Sequence, residues 1–349
     1  MSNHAIVIVD KGKAEIQEVP IPTFGDDFIL VKTHALALNP TDWKHIDYLP
    51  SPGSRVGCDY AGTVLEVGSK VTKDFKKGDR VAGVVHGSNA VAHEDGCFQE
   101  VIRARGDVQM KIPDNLSFEE ASTLGVGITT VGQALYQSLG FPLPESGTTK
   151  NDYLLIYGGS TATGALAIQF AKLSGLHVIV TCSAHNFDYV KSIGADAAFD
   201  YKSPTCAKDI KEYTKDGLKY AFDCISEGTS TQISVEAMSS SGGVYSNLLS
   251  VTNENVHSVN DKVQNKATLA YTMFGQPFKM GPTEIPVVPG NWEFGVKFWN
   301  LSQKLLAEGK VTVHKPAVNK EGSGLEGVMK GLDLLRQGKV SGEKLVYTL

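Results

Sequence analysis

Tyr153-Leu-Leu-Ile-Tyr157 runs straight into Gly158-Gly159-Ser160-Thr161-Ala162-Thr163-Gly164, and the reading of this stretch decides the fold. The apolar run is too short for a helix and reads as a buried strand of a parallel sheet. The Gly/Ser/Thr run reads as a tight turn. Ala165-Leu-Ala-Ile-Gln-Phe-Ala-Lys-Leu173 then reads as a helix, with Leu166, Phe170 and Leu173 at helical spacing. Strand, small-residue turn and helix make the phosphate-binding opening of a dinucleotide fold. Backbone N–H groups at the helix N-terminus face the pyrophosphate, and bulky side chains would block it. The turn departs from G-x-G-x-x-G. Thr161 stands where a central glycine is usual, and Ser160, Thr161 and Thr163 offer hydroxyl donors instead. The competing reading of the turn by itself is an ordinary strand–helix connection.

The next strand strengthens the dinucleotide reading. His177-Val-Ile-Val-Thr-Cys182 lies where a βαβ unit needs it. NAD-binding folds place Asp or Glu at its end to hold the ribose 2′-hydroxyl. Here the end is Ser183-Ala184-His185-Asn186. A carboxylate would repel a 2′-phosphate, whereas Ser, His and Asn can donate to one, so the sequence favours NADPH over NADH.

A chain of 349 residues suggests roughly two domains. Its hydrophobic fraction of 42% and charged fraction of 20% are ordinary for a globular enzyme. A net charge of −5 gives no reason to expect nucleic acid or an anionic membrane as partner. No apolar run approaches a spanning helix, and Met1-Ser-Asn-His lacks a signal-peptide pattern, so a cytoplasmic location is expected. Cys58, Cys97, Cys182, Cys206 and Cys224 are scattered and form no C-x-x-C. They read as free thiols, mostly packed as small hydrophobes.

Before the central stretch, Ala5-Ile-Val-Ile-Val9, Phe28-Ile-Leu-Val-Lys-Thr-His-Ala-Leu-Ala37, Gly57-Cys-Asp-Tyr-Ala-Gly-Thr-Val-Leu-Glu-Val-Gly68 and Gly78-Asp-Arg-Val-Ala-Gly-Val-Val85 suggest a barrel-like all-β domain. Ser117 reads as an N-cap, with Glu119 and Glu120 in the first helical turn. A helical pattern resumes over 129–139. After the second strand, helices at 186–193 and 206–213 alternate with strands at 197–201, 219–225 and 243–246, which predicts a doubly wound parallel sheet. Ala267-Thr-Leu-Ala-Tyr-Thr-Met-Phe274 reads as its sixth strand. Helices at 294–307 and 326–336 and a strand at 344–349 complete the chain. The fold class is therefore α/β, divided as 1–125, 126–285 and a return over 286–349.

Several features carry bland readings. Lys208, Lys211, Lys215 and Lys219 could present a basic stripe to an acidic carrier protein. The interspersed Asp209, Glu212 and Asp216 favour a solvated face. His34, His45, His86 and His93 show no metal spacing, and His86 and His93 fall in a polar loop where exposure is expected.

Asn39-Pro-Thr-Asp42, Gly57-Cys-Asp-Tyr-Ala-Gly62, Gly78-Asp-Arg-Val81, Ser117-Phe-Glu-Glu-Ala121, Gly194-Ala-Asp196 and Ser341-Gly-Glu-Lys-Leu-Val346 occur in one order. Together they make the chain resemble the medium-chain dehydrogenase/reductase superfamily over essentially its whole length. This implies a GroES-like barrel domain and a Rossmann domain. Thr41-Asp-Trp-Lys44, Tyr157-Gly-Gly-Ser-Thr-Ala-Thr163, Leu173-Ser-Gly175, Thr181-Cys-Ser-Ala-His-Asn-Phe-Asp188, Phe199-Asp-Tyr-Lys202 and Val340-Ser-Gly-Glu-Lys-Leu-Val346 narrow it. They resemble the fungal trans-acting enoyl reductases of the lovastatin type, which serve polyketide synthases whose own enoyl reductase domain is inactive.

That resemblance implies NADPH contacts from Thr41, Asp42, Trp43 and Lys44, from Ser160, Thr161, Ala162 and Thr163, and from Ser183, Ala184, His185 and Asn186. Tyr201, Leu248, Leu249, Val340 and Ser341 complete the set. It implies an acyl-binding wall from Thr130, Val131, Gly132, Gln133, Ala134, Leu135, Tyr136, Gln137 and Ser138, and from Thr272, Met273, Phe274, Gly275 and Gln276. The match is weaker over 248–292. Zinc-using members carry Cys at the position of Asn39 and His-Glu at those of Cys58 and Asp59. Only Cys97 lies where a structural zinc lobe would sit. Two adjacent candidate ligands do not make a tetrahedral site, so no metal is expected. Without a Lewis acid for an alcohol or carbonyl oxygen, hydride transfer to an already polarised C=C is the natural reaction.

The expected chemistry is hydride transfer from NADPH to the β-carbon of an α,β-unsaturated acyl thioester carried by the acyl-carrier domain of a polyketide synthase. Lys44 is the first catalytic candidate, for the nicotinamide ribose or the developing enolate. Tyr48 is a candidate acid from the same loop, and Thr130 could bond the thioester oxygen or the cofactor amide. Pro277, Pro282, Pro286 and Pro289 blunt the edge that many relatives use to dimerise, so a monomer is expected. Two other readings stay open: a stand-alone NADPH-dependent enone or quinone reductase, and a non-catalytic nucleotide-binding protein.

Overall fold

Six parallel strands form the sheet that the Tyr153 stretch predicts. In the computed structural model, which describes residues 3–147 and 151–349, they lie side by side in a fixed order. The order is Ala197–Asp200, His177–Cys182, Tyr153–Tyr157, Tyr220–Asp223, Gly243–Asn247 and Val263–Ala267. By position in the chain this is 3-2-1-4-5-6, the order of a dinucleotide-binding sheet. Leu154, Leu155 and Ile156 of the central strand are fully buried, as a strand covered on both faces requires. Ile179, Ala221, Val235 and Tyr245 belong to the same core. Met1, Ser2 and residues 148–150 of the polar loop before Tyr153 lie outside the described residues.

The sixth strand differs from expectation. It spans Val263–Ala267, while Ala270–Phe274 forms a 3-10 helix. Val263-Gln-Asn-Lys-Ala is too polar to read as a strand because it is the last in the sheet, where one side needs no apolar cover. The apolar side chains at Tyr271, Met273 and Phe274 are buried for another reason, given below.

By internal contacts the chain divides into two compact units. One runs to Thr129 and resumes over Tyr271–Leu349; the other is Thr130–Ala270. The junctions therefore fall at 129/130 and 270/271, against the expected 125/126 and 285/286. The reason lies in Tyr271 and Phe278, whose rings pack on His86 and bind the 271–285 segment to the first unit.

The first unit holds a seven-stranded sheet. It runs Pro316–Val318, Lys344–Thr348, Phe28–Ala37, Asp59–Val67, Arg80–Val84 and Gln109–Lys111, with Val101–Arg105 also on Phe28–Ala37. Two register shifts bend the long Phe28–Ala37 and Asp59–Val67 pair. Asn3–Asp10 and Lys13–Val19 form a hairpin. The helix Gly324–Arg336 buries Leu325, Val328 and Leu332 in a core shared with Ile6, Ile46 and Tyr347. Ser117 caps Phe118–Ser122 as predicted. Its hydroxyl accepts from Glu120 N at 3.2 Å and its own N–H donates to the Glu120 carboxylate at 2.9 Å. The pattern at 129–139 is an α-helix over Gly125–Val131 continued by a π-helical turn over Gly132–Ser138. No helix among the described residues is long and apolar enough to cross a membrane.

Candidate active site

In the second unit the Gly158–Gly164 turn has the geometry of an anion cradle. Its helix starts at Ala162, three residues earlier than expected. Thr161 is the N-cap: its hydroxyl accepts from Gly164 N at 3.0 Å and donates to Gly158 O at 2.8 Å. That hydroxyl is thus spent on the turn and not offered to a phosphate. The N–H groups of Ser160, Ala162 and Thr163 find no backbone carbonyl among the described residues, and they are the donors left for an anion. Gly158 sits at φ +83°, which a side chain would strain. A Cβ on Gly164 would stand 2.2 Å from Gly158 O, so the turn closes this tightly only with glycine there.

Ser183, Ala184, His185 and Asn186 follow the second strand, the last three as a 3-10 turn. Ser183 is half-buried, Ala184 and His185 are exposed, and Asn186 is buried. Tyr201 is exposed and its ring lies tilted against Tyr157, with ring centroids 6.1 Å apart. Leu248 and Leu249 sit in the loop after Gly243–Asn247. Asp223, absent from the sequence-level candidates, organises that end of the sheet. Its carboxylate accepts from Ser230 Oγ at 2.6 Å, Tyr245 OH at 2.7 Å, and the N–H groups of Ile225 and Ser226. Ser226 Oγ in turn accepts from Leu248 N at 2.9 Å, which ties the two loops together.

Within the first unit, the helix Pro40–Tyr48 carries Thr41, Asp42, Trp43, Lys44 and Tyr48. Thr41 Oγ1 lies 2.8 Å from Tyr271 OH and 3.1 Å from His45 Nδ1, so this hydroxyl is already engaged. Lys44 Nζ stands 5.8 Å over the Trp43 ring. Tyr48 is 66% exposed and packs edge-on to Trp43, a poor setting for a proton donor. The Arg336 guanidinium fork holds Asp47 at 2.8 and 3.0 Å and pins this helix to Gly324–Arg336. Val340 is half-buried and Ser341 exposed.

His86 overturns the expectation of exposure. It is buried and stacked on Tyr271 with centroids 4.1 Å apart, and burial pushes its pKa down to about 3, so the ring is neutral. Sequence reasoning missed Tyr271 as well. The signal was present in Tyr271, Met273 and Phe274, apolar residues that a polar edge strand would not need.

Asn39, Cys58 and Asp59 stand at the superfamily's zinc-ligand positions, and their donor set does not fit the metal. Lys344 Nζ donates to Asp59 Oδ2 at 2.6 Å and to Asn39 Oδ1 at 2.7 Å. The two charges are 3% and 0% exposed. Burial, with Asp42 and Asp59 adding, holds the Cys58 thiol well above its usual range, so it is a protonated thiol and not a thiolate ligand. An ammonium already neutralises the carboxylate that a dication would need. Asp42 accepts from Asn39 N at 2.7 Å, while its Oδ1 and Asn39 Nδ2 are buried without a partner among the described residues.

The two predicted acyl-wall segments differ in character. Residues 130–136 are all buried, and Tyr136 OH reaches Phe170 O and Ser174 Oγ, both at 3.2 Å. Gln137 is exposed, and Ser138 Oγ bonds Thr268 Oγ1 at 2.9 Å. Much of this segment is therefore core of the second unit. In the other segment, Thr272 Oγ1 accepts from Asn291 Nδ2 at 2.8 Å, Met273 and Phe274 are buried, Gly275 is half-buried and Gln276 is exposed.

Residues 162–287 match the zinc-binding dehydrogenase family and residues 25–114 the alcohol dehydrogenase GroES-like domain. A trans-enoyl reductase of Alternaria alternata is 44% identical over 351 residues, which is 100% of this chain and 99% of the relative. The trans-enoyl reductase of Cochliobolus carbonum is 55% identical over 258 residues, covering 74% of this chain and 85% of its own. This chain belongs to the trans-enoyl reductases of the medium-chain dehydrogenase/reductase superfamily. The word zinc in one matched family's name finds no fitting donor set at Asn39, Cys58 and Asp59, where the carboxylate is paired with Lys344 and the thiol is protonated. Two solved structures share the reductase's fold. The CurK enoyl reductase covers 99% of each chain at a TM-score of 0.77 and 16% identity. A quinone oxidoreductase from Coxiella burnetii covers 100% of each at 0.72 and 24%. The reductase accordingly has the two-part architecture that binds a nicotinamide dinucleotide.

Proposed function

We propose that this reductase saturates the α,β double bond of an acyl thioester, uses NADPH, and receives its substrate from the acyl-carrier domain of a polyketide synthase. The observation that carries the reading is the full-length likeness to trans-enoyl reductases. The cradle geometry supports the cofactor, and the carboxylate-free Ser183–Asn186 turn supports its phosphorylated form.

NADPH, when bound, supplies the hydride. The N–H groups of Ser160, Ala162 and Thr163 would hold the pyrophosphate. Ser183, His185, Asn186 and Tyr201 would receive the 2′-phosphate, and the resemblance adds Leu248, Leu249, Val340 and Ser341 as further contacts. Asp42 and Trp43 contribute through backbone, since the Asp42 carboxylate turns inward to cap its helix. Lys44 stabilises the negative charge that develops on the thioester oxygen, in a site where fixed charge counts for more than in water. Thr41 is held in place by Tyr271, and Thr130 bonds the thioester oxygen or the cofactor amide.

NADPH oxidation is measured side by side with a 2-enoyl pantetheine thioester, a free enone and a quinone, and repeated with NADH. Turnover of the thioester with a preference for NADPH is expected. Turnover of the small enone or quinone alone would replace the proposal with a stand-alone reductase. Cofactor binding without turnover of any substrate would make the chain a nucleotide-binding protein.

A further inference from the structure

Inside the first unit lies a cavity of about 240 Å³. It has room for about eight water molecules at their share of liquid volume. Its wall is largely apolar and aromatic, with Phe28, Val85, Phe274, Pro277 and Phe278 among the lining residues. Phe274 and Gln276 belong to the segment assigned above to the acyl wall. His86 also lines the cavity, and its other neighbour is Tyr271, whose hydroxyl bonds Thr41 on the helix that carries Lys44. The cavity is thus one ring layer away from the residues assigned to the chemistry.

Two arginines from one strand reach this cavity, and they are treated differently. Arg103 is paired: its Nε donates to Asp95 at 2.9 Å, and its Nη1 to Glu94 at 2.9 Å and Thr23 O at 2.8 Å. Arg105 forms no ion pair or side-chain hydrogen bond among the described residues, and its Nε is buried without an acceptor. Its guanidinium lies between the rings of Phe28 and Trp292, 5.7 and 4.4 Å from their centroids. The carboxylates within electrostatic reach are Asp27, Asp95 and Asp107. Asp95 is taken by Arg103 and Asn89, Asp107 by the N–H groups of Thr72 and Lys73, and Asp27 acts on Arg105 through its charge without an ion pair between them among the described residues. The two ring contacts hold the guanidinium in place and leave its fork without a hydrogen bond or ion pair among the described residues. A fixed planar fork matches a carboxylate, which accepts two parallel hydrogen bonds.

We infer that this cavity receives the far end of the acyl chain and that Arg105 holds a carboxylate there, so that the reductase selects acyl thioesters with an acidic terminus. The inference rests on the proposed thioester reduction for the identity of the ligand, but the site can be tested without turnover. Trp292, in contact with Arg105, is a built-in fluorescent reporter, with Trp292→Phe as the control. The full-length protein is titrated with two saturated pantetheine thioesters of equal length, octanoyl and suberyl, which end in methyl and carboxylate. Each is prepared with and without the 4′-phosphate of the arm. The matching 2-enoyl thioesters are compared for kcat/KM.

The carboxylate-ended compounds are expected to bind the wild type, and to be reduced by it, about 10- to 100-fold better than the methyl-ended ones. That ratio should collapse towards one in Arg105→Met and be partly restored in Arg105→Lys. Equal binding of both ends by the wild type, or a ratio unchanged in both variants, makes Arg105 a packing cation and overturns the inference. An Arg105-dependent preference for the phosphorylated arm in place of the carboxylate end also overturns it. Arg105-dependent carboxylate binding with no reduction of either enoyl ester leaves the site standing and sinks the proposed reaction instead.

Discussion

Replacing Lys344 with methionine keeps the length of the side chain and removes the cation between Asp59 and Asn39. Lys344 Nζ lies 2.6 and 2.7 Å from its two acceptors, and the ion pair is almost wholly removed from solvent. The variant leaves the Asp59 carboxylate buried with Val126 N, at 2.6 Å, and without a counter-charge. Removing one partner of a buried pair costs about 3–5 kcal/mol, mostly as the penalty of the stranded charge. Trp43, Trp292 and Trp299 all belong to this unit, so tryptophan fluorescence reads its unfolding selectively. With a urea m-value of about 2–3 kcal/mol per M, the midpoint should fall by about 1–2.5 M while m stays constant. Adding Asp59→Asn should recover part of the loss, giving a coupling energy of about 1–3 kcal/mol in the double-mutant cycle. A Lys344→Met protein within about 1 kcal/mol of wild type, or two substitutions whose effects simply add, would refute the reasoning.

Burial, with the Asp59 charge adding and the Asn39 N–H and Lys344 opposing, pushes the Asp42 carboxyl up to about 7. The folded protein therefore keeps a proton that the unfolded chain releases between about pH 4 and 7, and the stability from this group is full below that window and lost across it, by at most about 1.4 kcal/mol per pH unit. Asp42→Asn, which retains an acceptor for Asn39 N, should gain on the wild type as pH rises through the window; parallel stability–pH curves would contradict this. Thr161→Val deletes the cap of the cradle helix and should cost about 1 kcal/mol of stability and weaken NADPH binding, whereas Thr161→Ser should preserve both. An unchanged NADPH dissociation constant in the valine variant would remove Thr161 from cofactor binding. Lys44→Ala should lower kcat/KM by about 100-fold, and a wild-type rate would take Lys44 out of the mechanism. Prolonged dialysis against a strong chelator should leave activity intact, because the zinc-ligand positions hold an amide, a protonated thiol and a carboxylate already paired with the Lys344 ammonium; loss of activity restored by added zinc would contradict that reading.

What the sequence shows about the fold, it shows through local pattern. The Tyr153–Tyr157 strand and its glycine turn were legible because strand burial and backbone approach each restrict residue type. The Ser117 cap was legible because one hydroxyl and one carboxylate three residues apart satisfy each other locally. What failed to show was long-range. Val263–Ala267 hid because an edge strand may be polar. His86 looked exposed because its stacking partner, Tyr271, is remote in sequence. Lys344 appeared only as part of a terminal motif, and nothing near it in the chain indicates Asp59 as its counter-ion. Arg105 escaped notice for a related reason, since an arginine without a partner looks like any other arginine until the carboxylates around it are found to be occupied. Thr161 was expected to offer its hydroxyl to a phosphate, but the start of the helix at Ala162 turns that hydroxyl onto Gly158 O and Gly164 N, which no local pattern announces.

Lys344 and Asn39 are bonded across 305 positions of chain, and Val346 zips onto Ala37 beside them. On the ribosome, the nucleotide-binding unit is therefore fully translated while its predecessor still lacks its closing strand. Until Lys344–Thr348 emerges, the end of Phe28–Ala37 offers bare hydrogen-bonding groups along one side, and Asp59 waits beneath it without its ammonium. A nascent chain halted short of Lys344 would pair a mature half with a half-built one, which is the form that chaperones and quality-control proteases recognise.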